Sequence, residues 1–103
     1  MPFVKFQQWQ LHHHVAVTSY GDLRIPRALW DKHTTKNRLQ IYIDEEKRLI
    51  GLQPDDAGYL LGMVQQQSTT TYRVKIIRLT KYVAKGRYPV EWNQKHEMFT
   101  FQY

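Results

Sequence analysis

Residues 17–33 read VTSYGDLRIPRALWDKH and carry the strongest structural signals of the chain. The segment opens with β-branched residues and continues into Gly21 and Asp22, a pair that is typical of a strand that turns back on itself. Pro26 then fixes a backbone angle suited to a first helical turn, and the apolar residues that follow it lie on one side of a helix over residues 27–33. These signals predict a short β-hairpin that leads into a helix of about two turns.

A second hairpin follows at residues 39–52, which read LQIYIDEEKRLIGL. Leu39, Ile41 and Ile43 alternate with Gln40 and Tyr42, and this is the period of a half-buried strand. The acidic residues 44–46 interrupt the alternation and predict a turn, after which residues 48–52 return as a partner strand. The first half of the chain is therefore predicted to be ordered as strand, short helix and hairpin.

The second half of the chain repeats this order. Residues 72–79 predict a strand, Thr80 predicts the N-cap of a helix over residues 81–85, and Gly86 predicts its end. Residues 90–92 and 97–101 then flank a turn as a second hairpin. An internal repeat explains the agreement, and so does chance agreement of apolar positions in a small chain. The aligned pairs are Leu29 with Val83 at an offset of 54, and Ile41, Asp44, Leu49 and Leu52 with Val90, Asn93, Met98 and Phe101 at an offset of 49.

We therefore predict an α+β fold, mostly β, in which two strand, short helix and hairpin units form one barrel. A chain of 103 residues suits a single domain over residues 1–103. Within it we predict an amino-terminal arm at 1–11, a first unit at 12–53, a linker with a short strand at 54–71, and a second unit at 72–103. The polar segment QQQSTTT at 65–71 is predicted to be a flexible part of that linker.

Residues 15–52 resemble the swapped-hairpin DNA-binding domain of AbrB and MazE proteins. The resemblance implies that hairpins are exchanged into one barrel, which presents basic side chains from the strand and helix region to DNA. It also implies that residues 72–103 are a divergent second copy, so that the chain is a monomer with pseudo-dimeric units or a homodimer. The segment YPVEW at 88–92 further resembles a hairpin of small uncharacterised prokaryotic proteins, which implies no function. The positions that carry the main resemblance are Gly21, Ile25, Pro26, Leu29, Ile41, Tyr42, Ile43, Asp44 and Glu46.

The charge of the chain favours an anionic partner. Lys and Arg number 15 against 9 Asp and Glu, which gives a formal net charge of +6. The stretch from Arg73 to Arg87 is basic and contains no acidic residue, and such stretches attract phosphate backbones. A solvated basic surface would have the same composition. The first hypothesis is a small DNA-binding protein, a transcriptional regulator or antitoxin-like module, with duplex DNA as its partner. Its candidate contacts are Arg24, Arg27, Lys75, Arg78, Lys81, Lys85 and Arg87.

Two acidic residues favour a different hypothesis. Asp22 and Asp31 stand where the resembled family usually or often carries basic residues. A protein-protein interaction module that has lost its DNA contacts is therefore the alternative, with the apolar arm as its capture surface. Aromatic residues beside the basic stretch also fit the stacking of single-stranded bases.

Several classes of function are disfavoured by what the sequence lacks. The absence of Cys excludes a disulfide framework, a thiolate nucleophile and a zinc site built on sulfur. Neither a nucleophile elbow nor a glycine-rich phosphate loop is found, and adjacent histidines at 12–14 alternate between strand faces, which disfavours a shared metal ion. We predict no enzymatic activity, no cofactor and no metal. Without a signal-like apolar run or one of ~20 residues, we expect a cytoplasmic protein with no membrane contact.

Overall fold

The structure, a computed structural model, describes residues 14–66 and 69–103. The predicted amino-terminal arm lies outside this part of the chain. The described chain is mostly β, as predicted, and none of its helices is long and apolar enough to cross a membrane. Its elements are β1 (His14–Val17), β2 (Asp22–Pro26), α1 (Arg27–His33), β3 (Arg38–Asp44), β4 (Leu49–Pro54), β5 (Tyr59–Leu60), β6 (Gly62–Gln66), β7 (Thr69–Lys75), the 3-10 helix η1 (Ile77–Lys81), β8 (Gly86–Asn93) and β9 (Met98–Gln102).

The nine strands of the described residues form one antiparallel sheet that nearly closes on itself. Their order is β5-β3-β4-β9-β8-β1-β2-β7-β6. The two strands at the ends of this order, β5 and β6, are separated in sequence only by Leu61. The buried Leu61 donates its N–H to the carbonyl oxygen of Asn37 at 2.9 Å. The sheet is therefore barrel-like. Because the chain bends at Leu61, one continuous stretch supplies both edge strands of the sheet, β5 and β6.

Alternating apolar residues fill the interior of this barrel. Val15 and Val17 of β1 are buried there, as are Ile50 and Phe99 of the neighbouring strands β4 and β9. Helix α1 adds the fully buried ring of Trp30, which stacks on Phe99 with the ring centres 5.3 Å apart. Because the indole N–H of Trp30 donates to the carbonyl oxygen of Lys36 at 2.7 Å, its polar atom is satisfied inside the core.

The predicted helix α1 is confirmed at residues 27–33, but the predicted second helix is wrong. Residues 77–81 form the 3-10 helix η1, whereas the helix was expected at 81–85 and the preceding strand was expected to reach residue 79. The N–H of Ile76 still donates to the carbonyl oxygen of Gly21 at 2.7 Å, in the register of the β2–β7 ladder. The strand ends there because its partner β2 begins at Asp22 and the chain turns back into β1 at Gly21. Thr80 lies inside η1, where its hydroxyl donates to the carbonyl oxygen of Ile77 at 2.7 Å. It therefore does not act as the N-cap of a helix.

The prediction of a flexible connection at residues 65–71 is also wrong for the part that the structure describes, residues 65–66 and 69–71. Residues 65–66 lie in β6 and residues 69–71 lie in β7, where Gln65 pairs with Thr70 and Val64 pairs with Thr71. Polar side chains do not prevent a backbone ladder, and threonine is β-branched and fits a pleated strand well. The apolar strand predicted just before this segment is divided by Leu61 into β5 and the beginning of β6.

Candidate nucleic-acid interface

Strand alternation separates apolar and basic residues on β2 and β7. Leu23 and Val74 are Cα partners and are buried in the barrel. Successive side chains of a strand point to opposite faces, so the next pair, Arg24 and Arg73, lies on the outer surface. Arg24 is half-buried there and Arg73 is exposed.

A third arginine continues this pair across the sheet. Ala16 of β1 is the Cα partner of Arg24 on one side and of Arg87 on the other. Arg87, Arg24 and Arg73 therefore lie in one line across β8, β1, β2 and β7, and we name these three residues the arginine row. At strand spacings of about 4.8 Å the row is about 14 Å long. Because Ala16 has a small side chain, no bulky group lies between Arg87 and Arg24 on this surface.

The arginine row places like charges side by side. Like charges directly opposite each other on a sheet destabilise the pairing, and this applies to Arg24 and Arg73. The Nε atom of Arg24 is also buried, and it has no hydrogen-bond partner among the described residues. A buried donor without an acceptor costs about 1–3 kcal/mol. An anion with several acceptor oxygens, such as a phosphate, relieves the repulsion because it accepts charge-assisted hydrogen bonds from the terminal N–H groups of neighbouring guanidinium groups.

Lys75 and Asp22 form the next outward pair beside the arginine row. They are Cα partners, so the acidic residue that disfavours DNA binding faces a lysine across the strands. The backbone N–H of Asp22 donates to the hydroxyl of Thr18 at 3.1 Å, which helps to fix the β1–β2 turn. Asp22 is half-buried, whereas Lys75 is exposed. The outer surface of β2 and β7 thus carries three basic residues and one acidic residue.

Three further predicted contacts lie on the connection between β7 and β8. This connection packs against the β1–β2 turn at Gly21, whose φ of 86° is in the left-handed region that glycine adopts freely. A Cβ at Gly21 would lie 2.9 Å from the Cα of Ile77, so a larger residue would force the two backbones apart. We name residues 18–21 and 76–85 together the η1 end. It carries the exposed side chains of Arg78, Lys81 and Lys85.

Arg27 lies apart from the other predicted contacts, on α1 at the opposite end of β2. Its Nε donates to Oδ2 of Asp31 at 3.1 Å, and the hydroxyl of Tyr72 donates to Oδ1 of the same carboxylate at 2.8 Å. The hydrogen bond to Asp31 raises the pKa of Arg27, and burial followed by the hydrogen bond to Asp31 raises the pKa of Tyr72. Arg27 and Asp31 therefore form an ion pair on α1.

The structure brings together Arg24, Lys75 and Arg87, and adds Arg73, which lies in the basic stretch but is not one of the contacts predicted from the sequence. The signal for it was available, because Arg73 and Lys75 flank the apolar Val74 in a strand-like segment. What the sequence did not give was the register that sets Arg73 opposite Arg24.

A separate surface cleft of about 580 Å³ lies near the end of α1 and the β8–β9 turn. Its lining includes His33 and Trp92, whose rings stack with centres 4.7 Å apart, and the carboxylates of Asp55 and Asp56. Among residues 14–66 and 69–103, no group of three or more His, Cys, Asp or Glu side chains is arranged to hold a metal ion. Comparison of the sequence and structure with protein-family models, curated proteins and solved structures gives no match.

Proposed function

We propose that the chain is a small non-enzymatic DNA-binding protein, a transcriptional regulator or antitoxin-like module, that docks the arginine row and Lys75 on the phosphates of duplex DNA. The observation that carries the proposal is the pairing of Arg24 with Arg73 across two strands, with the Nε of Arg24 buried and without an acceptor among the described residues. Such an arrangement costs stability in isolation, and an anion that binds both guanidinium groups relieves the repulsion between them. Phosphate contacts of this kind supply affinity without reading sequence.

We further propose that the barrel is built from two copies of a swapped-hairpin unit within one chain. The strand order supports this. When β5 and β6 together are the counterpart of β1, exchanging the strands of the two units leaves their order around the barrel unchanged. With β2, β3 and β4 matched to β7, β8 and β9, each pairing has a counterpart. Thus β1 pairs with β2 and β8, while the bent β5–β6 stretch pairs with β7 and β3.

The two hairpin turns give independent support for duplication. Oδ1 of Asp44 accepts the N–H of Lys47 at 3.1 Å, and Oδ1 of Asn93 accepts the N–H of His96 at 3.1 Å. Each turn then ends in a residue other than glycine with a positive φ, 54° at Arg48 and 52° at Glu97. All these pairs are related by the offset of 49 that the sequence repeat predicts.

Two copies in one chain explain why the arginine row crosses the junction between β2 and β7. Arg24 belongs to the first unit, and Arg73 and Arg87 belong to the second. A duplex that docks on this surface contacts both units at once, as it would in a dimer of half-chains. Four phosphate contacts from the row and Lys75 give an expected slope of about −3.6 for log affinity against log salt.

The test is the binding of the tag-free protein to labelled random-sequence duplex DNA at several salt concentrations. The Arg73→Gln/Lys75→Gln variant is expected to weaken binding at low salt and to reduce the slope by about 2, since two phosphate contacts are lost. The matched control is Lys47→Gln/Lys95→Gln, which removes the same charge from two exposed lysines in the hairpin turns and is expected to leave the slope unchanged.

Two outcomes contradict the proposal. If the wild-type protein does not bind duplex DNA at low salt, the arginine row is a solvated surface and the protein-protein interaction module becomes the better hypothesis. If both double variants lose affinity equally, net charge rather than the outer surface of β2 and β7 drives the binding.

A further inference from the structure

The η1 end exposes large apolar side chains as well as basic ones. Tyr20 is 78% exposed, Ile77 is 66% exposed and Tyr82 is 48% exposed. Tyr20 precedes Gly21 in the β1–β2 turn, and the other two residues lie at the beginning of η1 and just beyond its last residue. Three such residues in two touching segments place exposed apolar side chains at the same end as the basic residues of η1.

The backbone of these two segments is well anchored. The N–H of Ile76 donates to the carbonyl oxygen of Gly21, and the backbones of Gly21 and Ile77 are in close contact. Leu79 and Val83 are buried in the core, and the N–H of Tyr82 donates to the carbonyl oxygen of Leu79 at 3.0 Å. The backbone that carries the exposed residues is therefore held by neighbours that belong to the fold.

Basic residues lie on the same segment of chain as Ile77 and Tyr82. Lys75, Arg78, Lys81 and Lys85 are all exposed, and the sequence from residue 73 to residue 90 contains no acidic residue. The acidic residue at this end, Asp22, is the Cα partner of Lys75. A partner that fits must offer negative charge around a flat or apolar surface. Nucleic acid with exposed bases has this combination, because phosphates flank bases whose faces stack on aromatic rings.

We propose that the η1 end binds DNA bases that are out of the helical stack, with Tyr20 and Tyr82 stacking on bases and Ile77 wedging between them. This inference rests on the proposed function, since Lys75 joins the η1 end to the arginine row and lets one DNA molecule contact both. Apolar wedges beside phosphate contacts are a known physical route to binding of unstacked or kinked DNA. The protein therefore prefers a duplex that contains unpaired bases to a fully paired duplex of the same length.

The experiment compares the affinity of the protein for a fully paired duplex and for the same duplex with a short central bubble of mismatched bases. The wild-type chain is expected to bind the bubble about tenfold more tightly, the order expected from one stacked base. The Tyr20→Ala/Ile77→Ala variant is expected to show a clearly weaker preference, since only Tyr82 is left to stack, while its affinity for the paired duplex stays unchanged. The matched control, Tyr42→Ala/Ile43→Ala, removes an exposed tyrosine and isoleucine from β3, 49% and 42% exposed, and is expected to retain the preference.

The outcomes separate this inference from the proposed function. If the wild-type protein binds both duplexes equally, with the expected dependence on salt, the inference is overturned and the proposed function stands. Binding to neither duplex overturns both. An equal loss of preference in the β3 control also overturns the inference, because the effect is then not local to the η1 end. So does selective binding to phosphatidylserine vesicles that requires Tyr20 and Ile77 in the absence of a bubble preference, since the partner would then be an anionic lipid surface.

Discussion

Gly58 and Gly62 lie on either side of the short strand β5 and differ in the space that a side chain would find. A Cβ at Gly58 would overlap the backbone carbonyl group of Leu39, to which β5 is paired. At Gly62 the nearest atom to a Cβ is the carbonyl oxygen of Arg73, at an ordinary contact distance of 3.6 Å. Only the first glycine is therefore required by close packing of the backbone, at the place where the sheet nearly closes.

We expect Gly58→Ala to lower the free energy of unfolding by about 2–3 kcal/mol, since the backbone of β3 or β5 has to move. Gly62→Ala is the matched control and is expected to change that free energy by less than about 1 kcal/mol. Urea denaturation followed by tryptophan fluorescence measures both. Equal effects of the two substitutions would show that β5 is not tightly packed against β3.

The hydrogen bond between Tyr72 and Asp31 predicts a dependence of stability on pH. The pKa of Tyr72 is raised from its ordinary value of 10.0 by burial and then by this bond, so the fold favours the neutral phenol. Its contribution to stability is fully present below pH 10 and is lost as the pH rises through the raised pKa. The stability difference between the wild type and Tyr72→Phe is expected to shift against the wild type above about pH 10. Urea denaturation across that range measures the shift, and a constant difference would contradict it.

At the scale of elements, the local signals in the sequence predicted those structures that local chemistry controls. Helix α1 begins after Pro26 and places Leu29 and Trp30 in the core, as its pattern indicated. The helix η1 was misplaced because β7 ends where its partner β2 gives way to the turn at Gly21, and this tertiary limit is absent from the local pattern of residues 76–79. The β6–β7 hairpin was missed because a polar composition was taken to indicate flexibility, whereas pairing with its neighbours stabilises the strand. The outward positions of Arg24 and Arg73 follow from alternation, but their pairing requires a register that no local pattern contains.

The two hairpin turns differ in what their strained last residues contact. Glu97 and Arg48 both have a positive φ, which costs a non-glycine residue about 1–2 kcal/mol. Arg48 also donates from Nε to the carbonyl oxygen of Tyr103 at 2.9 Å, with its guanidinium 4.7 Å from the centre of the Tyr103 ring. We therefore expect Glu97→Gly to raise the free energy of unfolding by about 1 kcal/mol.

For Arg48→Gly we expect no gain, because relief of the strain is offset by loss of the contacts with Tyr103. Thermal denaturation of the two variants beside the wild type distinguishes them. Equal stabilisation by both substitutions would mean that the contacts with Tyr103 contribute nothing to stability.

At the scale of the whole molecule, the halves of the chain are interleaved rather than side by side. Strand β1 pairs with β8, β2 pairs with β7, and β4 pairs with β9, so neither half has a complete sheet of its own. The sequence predicted the mostly β fold, since apolar alternation is strong in both halves. It did not predict which strands pair between the halves, because pairing over such separations depends on the closed shape of the sheet.

This interleaving predicts the behaviour of fragments. Residues 1–56 and 57–103, prepared separately, are each expected to lack a cooperative thermal transition as monomers, because each leaves one side of its core uncovered. An equimolar mixture is expected to recover a cooperative transition and a β-rich circular dichroism spectrum at the mass of a one-to-one complex. A monomeric fragment that melts cooperatively would show that one unit is stable alone. The uncut chain is the control, and it is expected to sediment as a monomer.

The pairing of β1 with β8 also sets when folding is completed. His14 pairs with Pro89 and Val17 pairs with Gly86, near opposite ends of the described chain. During synthesis, Val15 and Val17 stay uncovered on that side until β8 has left the ribosome, so the core cannot form gradually from the amino terminus. A topology with such distant contacts folds slowly for its size, on a scale of milliseconds to seconds. Newly made chains therefore pass through an interval in which exposed apolar strands depend on dilution or on chaperones to stay unaggregated.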